Sequence, residues 1–279
     1  MNTAEFTLVI GLGALAAGFL GALTGLGGGI VVTPLLTLAF GVNIRYAMGA
    51  SLVSVIATSS GAAAAYVKEG LSNIRAGMFL EIATTIGAVV GAAITLELPT
   101  TVIGIVFGVV LLYSAFQSTR IHPELTTDDR PQDRISRILR MDSTYPAIDG
   151  LKSYRVHSVP GGFGVMFGAG ILSGLLGIGS GALKVVAMDQ VMRLPFKVST
   201  TTSNFMIGVT AAASAGVYLR QGYVDPGLAM PVMLGVLLGA LLGARILPKT
   251  RSNVLRVIFA IAVTVLAVEM IYHGLAGRL

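Results

Sequence analysis

An internal repeat constrains this chain more than any other feature of its sequence. The stretch Gly25–Gly29 reads GLGGG, and Gly177–Gly181, 152 positions later, reads GIGSG. At the same offset YVKEG from Tyr66 meets YLRQG from Tyr218. A repeat of this length in an apolar chain is typical of membrane proteins built from two related helical bundles that meet at a shared site.

The composition places the chain in a lipid bilayer. Hydrophobic residues make up 54% and charged residues only 11% of its 279 positions, and the mean hydropathy is +0.83. A soluble domain carries roughly a quarter charged residues. The net charge of +6 does not indicate nucleic-acid binding, because Lys and Arg in loops set membrane orientation. The absence of Cys excludes disulfides, thiolate nucleophiles and thiolate metal sites.

Each half contains five apolar segments, and the second of them is too short to cross a membrane. The 13 residues of segment 28–40 reach about 20 Å of a hydrocarbon core about 30 Å thick. Segments 6–40 and 162–193 are therefore each predicted to form a broken helical hairpin, which turns at its glycine-rich stretch and returns to the side it entered. The full-length segments are 46–66, 75–97, 100–118, 198–218, 227–245 and 254–273.

The distribution of basic residues predicts how the two halves are oriented. With one hairpin and three crossings per half, most Lys and Arg fall on one side, and the positive-inside rule makes that side cytoplasmic and both termini external. An odd number of crossings inserts the halves in opposite directions. We predict an all-α polytopic protein of the plasma or inner membrane, with inverted repeats at 1–118 and 161–279 joined by a polar cytoplasmic linker at 119–160.

The linker is the sizeable polar stretch of the sequence. Its charged residues, together with Pro131 and Pro146, indicate a solvated connection between two halves that move relative to each other. A short amphipathic helix is expected around 134–141. A regulatory or partner-docking role is the alternative.

The two glycine-rich turns are candidate anion sites. A turn at membrane depth leaves backbone N–H groups without partners, which is tolerated where they line a cavity or meet a ligand. The start of the following short helix adds partial positive charge at the same point. The alternative is that the glycines only allow the hairpin arms to pack closely. The predicted substrate-binding residues of the turns are Gly27, Gly28, Gly29, Gly179, Ser180 and Gly181.

Hydroxyl side chains open the helix that follows each hairpin. A single hydroxyl in a membrane helix most often bonds the carbonyl one turn back. Ser51 and Ser203 are repeat equivalents, however, and the polar run 200–204 is too long for that explanation. The predicted substrate contacts are therefore Ser51, Thr201, Thr202, Ser203 and Asn204.

Three ionisable residues lie near membrane depth. Lys184 is one turn into the second short helix, where its repeat partner is Val32. A buried ammonium costs at least about 2.5 kcal/mol on insertion scales, which favours anion binding; snorkelling or a structural pair with Asp189 is the alternative. Glu81 and Asp189 are candidates for proton coupling, although Glu81 is close enough to Arg75 to reach the interface instead.

No pattern in the sequence indicates an enzyme, a cofactor or a metal site. The dinucleotide fingerprint requires Gly at the sixth position of its Gly-rich loop, and Ile30 occupies it. An intramembrane enzyme acting on a lipid or membrane substrate remains an alternative, as does a passive anion channel. Gly235, Gly239 and Gly243 form a small-residue ladder that permits a homodimer but serves internal packing equally well.

The motif GLGGGIVVTPLL at 25–36, followed by IRYAMGASLVSV, resembles the TauE/SafE family of sulfite and sulfonate permeases. The stretch GIGSGALKVVAMDQVMRLPFKVSTTTSNF looks like the second copy of that motif. The resemblance implies a transporter of small sulfur-containing anions such as sulfite or sulfonates, driven by an ion gradient. We expect a secondary carrier that works by alternating access, with the substrate near mid-membrane between the two hairpin turns. The second copy departs from the first at two positions: Ser180 replaces a Gly, and Val186 occupies the position equivalent to Pro34. These departures concern the shape of the second turn.

Overall fold

The computed structural model describes residues 3–24, 28–68, 70–119, 133–147, 150–246 and 252–278, and these are mainly helical. The first half contains α1 (Thr3–Thr24), α2 (Gly29–Pro34), α3 (Ile44–Lys68), α4 (Ile74–Glu97) and α5 (Thr100–Thr119). The second contains α7 (Val159–Leu176), α8 (Gly181–Val186), α9 (Phe196–Arg220), α10 (Pro226–Ile246) and α11 (Ser252–Leu275). Between the halves lie α6 (Arg134–Ile138), β1 (Ser143–Ala147) and β2 (Gly150–Tyr154).

Four of the described helices are long and apolar enough to cross a bilayer: α4, α5, α7 and α10. Helices α3 and α9 are 25 residues long each but contain many hydroxyl side chains, which lower their hydropathy. These lengths and compositions confirm the prediction of a predominantly α-helical membrane protein.

Each short helix continues into a π-helical turn. Helix α2 runs into Leu35–Ala39, and α8 runs into Ala187–Val191, at the same positions of the repeat. Pro34 lacks an N–H and would by itself loosen a helix, yet Val186 takes its place in α8 and the same π-helical turn follows. The widened turn therefore does not depend on proline.

Both broken segments return to the end at which they begin. The ring of Phe6, near the start of α1, packs edge-on against Phe40 with centroids 6.3 Å apart. In the second half the amide of His157, just before α7, donates to the carbonyl of Met192 over 3.1 Å. A short helix that reverses before crossing leaves its turn inside the protein, where backbone groups need partners.

The helices pair across the two halves rather than within them. Helix α1 packs on α10 and α7 packs on α4, while α3 packs on α9 and α5 on α11. Under the repeat, α10 corresponds to α4 and α7 to α1, so each contact has its equivalent. A Cβ at Gly174 would overlap the carbonyl of Ala88, and one at Gly239 would overlap the carbonyl of Leu15. Gly235 and Gly239 thus serve packing within the chain. Internal packing was one of the two roles, with a homodimer as the other, that the sequence allowed for this small-residue ladder.

The linker departs from the solvated connection that its composition indicates. Its described part carries the expected helix, α6, and an antiparallel hairpin in which Ser143 pairs with Tyr154. Met141 and Val156 are fully buried, in one cluster with Leu80 and Met206 of the membrane helices. The apolar residues scattered among the linker charges are enough to form this small core, so the description all-α is incomplete. The sequence signal for the hairpin was the Asp-Gly dipeptide at 149–150.

Asn73 joins the linker to both halves. Its side-chain amide donates to the Met141 carbonyl (2.7 Å) and the Tyr154 hydroxyl (2.9 Å), and its backbone N–H donates to Thr202 Oγ1 (2.9 Å). Burial raises the pKa of Tyr154 above its ordinary value, so the hydroxyl stays protonated. The linker therefore braces the start of α4 and the start of α9.

Candidate functional site

The starts of the two short helices are held by repeat-equivalent serines. Ser51 Oγ lies 3.0 Å from the carbonyl oxygen of Gly29 and 3.0 Å from that of Gly177. Ser203 Oγ donates to the carbonyl of Gly181 over 3.1 Å, which repeats the contact of Ser51 with Gly29. Ser51 therefore brings the first short helix and the second turn to one place in the protein.

The glycines of the turns allow close packing against α3, α9 and α10. A Cβ at Gly29 would overlap Val55, one at Gly179 would lie 2.7 Å from Ile207 Cγ2, and one at Gly28 would lie 2.6 Å from Val236 Cγ1. These contacts favour the packing role for all three glycines. Gly27 lies outside the described residues, and Gly181 is buried at the start of α8.

The second turn uses left-handed backbone, and Ser180 is its exceptional residue. Gly177 and Gly179 have φ of +65° and +73°, which glycine adopts freely. Ser180 has φ of +47°, an uncommon value for a residue with a Cβ. Its Oγ is buried without a hydrogen-bond partner in the described part of the chain. Strained backbone and an unpartnered polar atom coincide at this position, which is typical of functional sites.

We expect Ser51→Ala to lower the thermal stability of the detergent-solubilised protein, because two buried carbonyls lose the one hydroxyl proton that they share. The expected loss is about 1–3 kcal/mol, measured as a lower midpoint of thermal unfolding. Ser60→Ala is the matched control, since Ser60 is exposed and bonds only the Ile56 carbonyl of its own helix. Equal midpoints for the two variants would contradict the role of Ser51 as a brace.

Lys184 and Glu81 meet in the interior, with Thr210 between them. Lys184 Nζ donates to Thr210 Oγ1, Thr210 Oγ1 donates to Glu81 Oε1 over 2.5 Å, and Nζ lies 3.8 Å from Glu81 Oε2. Lys184 is 0% exposed and Glu81 is 7% exposed. These three residues, called the polar cluster below, connect α8, α9 and α4. Within the cluster, Lys184 and Glu81 form a buried ion pair.

One expectation about these side chains is corrected. Glu81 does not reach the interface beside Arg75, because it is buried and paired with Lys184; Arg75 instead bonds the Arg140 carbonyl over 3.0 Å. Lys184 forms an ion pair with Glu81, while Asp189, the structural partner considered from the sequence, is buried on the π-helical turn. Thr210 was not among the predicted site residues, although it repeats Thr58.

The hydroxyl run at the start of α9 finds partners within the protein. Thr201 Oγ1 donates to the Leu71 carbonyl (2.8 Å), and Thr202 Oγ1 accepts from the backbone N–H of Asn73. Ser203 Oγ bonds the Gly181 carbonyl. The hydroxyls of Thr201, Thr202 and Ser203 therefore all have backbone hydrogen-bond partners in neighbouring segments. Asn204 is half-buried beside them. Substrate contact by these residues stays a prediction.

The described residues contain no group of three or more His, Asp or Glu side chains that could hold a metal ion. In the interior of the described part of the chain, the fold brings Lys184 and Glu81 together. With Thr210 between them, they can bind a small anion through the ammonium group and carry a proton on the carboxylate.

The chain matches the sulfite exporter TauE/SafE family over residues 10–270. It is 29% identical over 278 residues to the probable membrane transporter protein YunE of Bacillus subtilis (strain 168), covering 97% of this chain and 99% of that one. The probable membrane transporter protein YdhB of the same organism is 27% identical, over 82% of this chain and 83% of its own length. A probable membrane transporter protein of Xylella fastidiosa (strain 9a5c) is 28% identical, over 84% and 82%. No solved structure matches significantly. The chain is thus a multi-pass membrane protein that belongs to the sulfite exporter TauE/SafE family.

Proposed function

We propose that the protein is a secondary membrane transporter of small sulfur-containing anions, such as sulfite or sulfonates, that works by alternating access. The observation that carries this proposal is Lys184, a fully buried cation on a broken helix beside the glycine-rich turns. A lysine at membrane depth marks a substrate or ion pathway by default. The names of the family and of the relatives agree with transport.

The proposed architecture consists of two inverted repeats, each with a broken hairpin and three crossings. The cross-repeat pairing of the helices supports it, as does the return of both broken segments. The linker and the loops at Asn73 and Met192 lie at one end, since they bond each other. Arg45 lies at the other end, where it bonds the Leu98 carbonyl and Tyr223. The positive-inside rule makes the linker end cytoplasmic.

The proposed substrate position lies between the second turn and α9. Ser180 Oγ is buried without a hydrogen-bond partner in the described part of the chain, so an oxyanion can accept its proton. Lys184 lies one turn further along the same segment, with its backbone N–H bonded to the Ser180 carbonyl over 3.1 Å. Because Lys184 is 0% exposed, the second hairpin has to move before an anion can reach it.

Purified protein in liposomes tests the function directly. We expect saturable uptake of radiolabelled sulfite or ethanesulfonate, including accumulation above the external concentration when a proton or sodium gradient is imposed. Uptake that only equilibrates would indicate a passive channel. No saturable flux of any sulfur anion would refute the proposal, and a product released from membrane lipid would favour the intramembrane enzyme.

Lys184→Ala should weaken anion binding by about 10–100-fold, the value of one hydrogen bond to a charged group. The half-saturation concentration for counterflow measures this loss. Lys197→Ala is the matched control, because Lys197 is an exposed lysine at the start of α9. If both variants bind with wild-type affinity, Lys184 is not part of the substrate site.

A further inference from the structure

We propose that the polar cluster couples transport to protons: an anion that binds Lys184 displaces Glu81, and Glu81 then takes up one proton. This inference rests on the proposed transport of anions. It goes further in naming the coupling ion and the residue that carries it.

The contacts of Glu81 suit a carboxylate that is released and regained. Its Oε2 lies 3.8 Å from Lys184 Nζ, beyond hydrogen-bond length, and accepts no hydrogen bond in the described part of the chain. Its Oε1 accepts from Thr210 and, over 3.3 Å, from Thr85. Thr210 Oγ1 also lies 3.0 Å from the Met206 carbonyl, so its one proton has a second acceptor when Glu81 no longer needs it. Oε2 is therefore the oxygen free to receive a proton.

The residues at the repeat-equivalent positions show that the fold does not require this ion pair. Under the repeat, Lys184 corresponds to Val32, Thr210 to Thr58 and Glu81 to Met233. Val32 is fully buried at the matching place in α2, and Thr58 bonds only carbonyls of its own helix. Equivalent positions of the two repeats thus carry apolar residues in one case and an ion pair in the other. Because a buried ion pair contributes little net stability, its presence at one of the two equivalent places points to a role in the transport cycle.

Charge balance in a desolvated site dictates the order of events. Lys184 and Glu81 together are neutral, and an incoming monoanion leaves a net charge of −1 in the protein interior. Burial of an unpaired carboxylate is costly, and such a group neutralises instead. One proton is transferred from hydronium to Oε2: an O–H bond of hydronium breaks, an O–H bond to Oε2 forms, and a neutral water molecule is left. When the anion leaves on the other side, the proton leaves with it and Glu81 returns to Lys184.

The elements around Glu81 differ in the ionisable side chains that they carry. Helix α7 contributes no ionisable side chain over Val159–Leu176. Helix α9 carries Lys197 and Arg220 at its exposed ends, and the Tyr218 hydroxyl donates to the Gly174 carbonyl. Asp189 of the second half is also buried, on the π-helical turn after α8. Among the described charged groups, Lys184 therefore forms the ion pair with Glu81. Binding of an anion to Lys184 thus controls the protonation of Glu81.

Proteoliposomes of wild type and Glu81→Gln test the inference. In the wild type we expect a pH gradient to drive ethanesulfonate accumulation, with one proton entering per anion as reported by an internal pH dye. Glu81→Gln should lose this accumulation at least tenfold while anion counterflow is still detected, because the amide occupies the site but cannot exchange a proton. Thr58→Ala, the repeat equivalent of a change at Thr210, should behave as wild type.

Several results would overturn the inference. They are pH-driven accumulation by Glu81→Gln at the wild-type level, accumulation that follows a sodium gradient at equal pH, and wild-type uptake that changes with a potassium diffusion potential. The last measurement needs no variant, since one proton per monoanion moves no net charge. If the wild type shows no counterflow of any sulfur anion, the proposed function fails. If counterflow is present but independent of pH, the coupling alone fails.

Discussion

Replacing Lys184 by Val should destabilise the protein by about 3–5 kcal/mol, the usual cost of leaving one partner of a buried ion pair uncompensated. The double variant Lys184→Val with Glu81→Met should recover most of that loss. It installs at Lys184 and Glu81 the apolar residues that occupy the repeat-equivalent positions, Val32 and Met233. Thermal unfolding in detergent, followed by loss of the monodisperse peak, measures both effects.

The double variant separates stability from transport. We expect it to fold like the wild type and to lack pH-driven anion accumulation, since neither the cation nor the proton carrier is left. The matched control is Thr58→Ala, which removes the hydroxyl at the repeat equivalent of Thr210 and changes no charged residue. A double variant as unstable as the single one would mean that the pair is required for folding, which would contradict the comparison with Val32 and Met233.

The second large effect is expected from Gly174→Val, which should abolish accumulation of folded protein. A Cβ at Gly174 would overlap the Ala88 carbonyl and lie 2.8 Å from the Ala92 amide nitrogen, both in the backbone of α4. Backbone cannot rotate away as a side chain can, so α7 and α4 would have to separate along their contact. Small residues provide this close approach in bilayers, where no hydrophobic effect drives helices together.

Gly164→Val on the same helix is the control for Gly174→Val. A Cβ at Gly164 meets nothing within 4 Å in the described part of the chain, so the change in helix propensity is the same without the clash. We expect normal yield and a monodisperse peak for this control. Similar yields of the two variants would show that α7 is free to move away from α4.

The broken hairpins could be predicted from the sequence because they depend on local quantities. Segment 28–40 is too short to cross, and glycines precede it. In the structure the short helices α2 and α8 begin at Gly29 and Gly181, close to the predicted starts. The repeat also predicted correctly which residues correspond, since Ser51 and Ser203 make equivalent bonds to the short helices.

The partner of Lys184 could not be predicted in the same way. Glu81 lies in the other half of the chain, and no periodicity or spacing links the two residues. Its closeness in sequence to Arg75 suggested an interfacial position, which is wrong because α4 is covered by α7, α9 and the linker. The linker was misjudged for a related reason. Its composition is polar, but Met141, Tyr145 and Val156 bury their side chains against helices that only the fold brings near.

By itself, the sequence determined that this is a membrane protein with two related halves, and where the short helices begin. These follow from hydrophobic length, glycine content and charge, which act along the chain. Only the tertiary structure decided that Lys184, Thr210 and Glu81 meet, that Ser51 joins the first short helix to the second turn, and that Gly174 lies against α4. Contacts between distant segments depend on how helices from the two halves pack, and each such contact is specified by both partners at once.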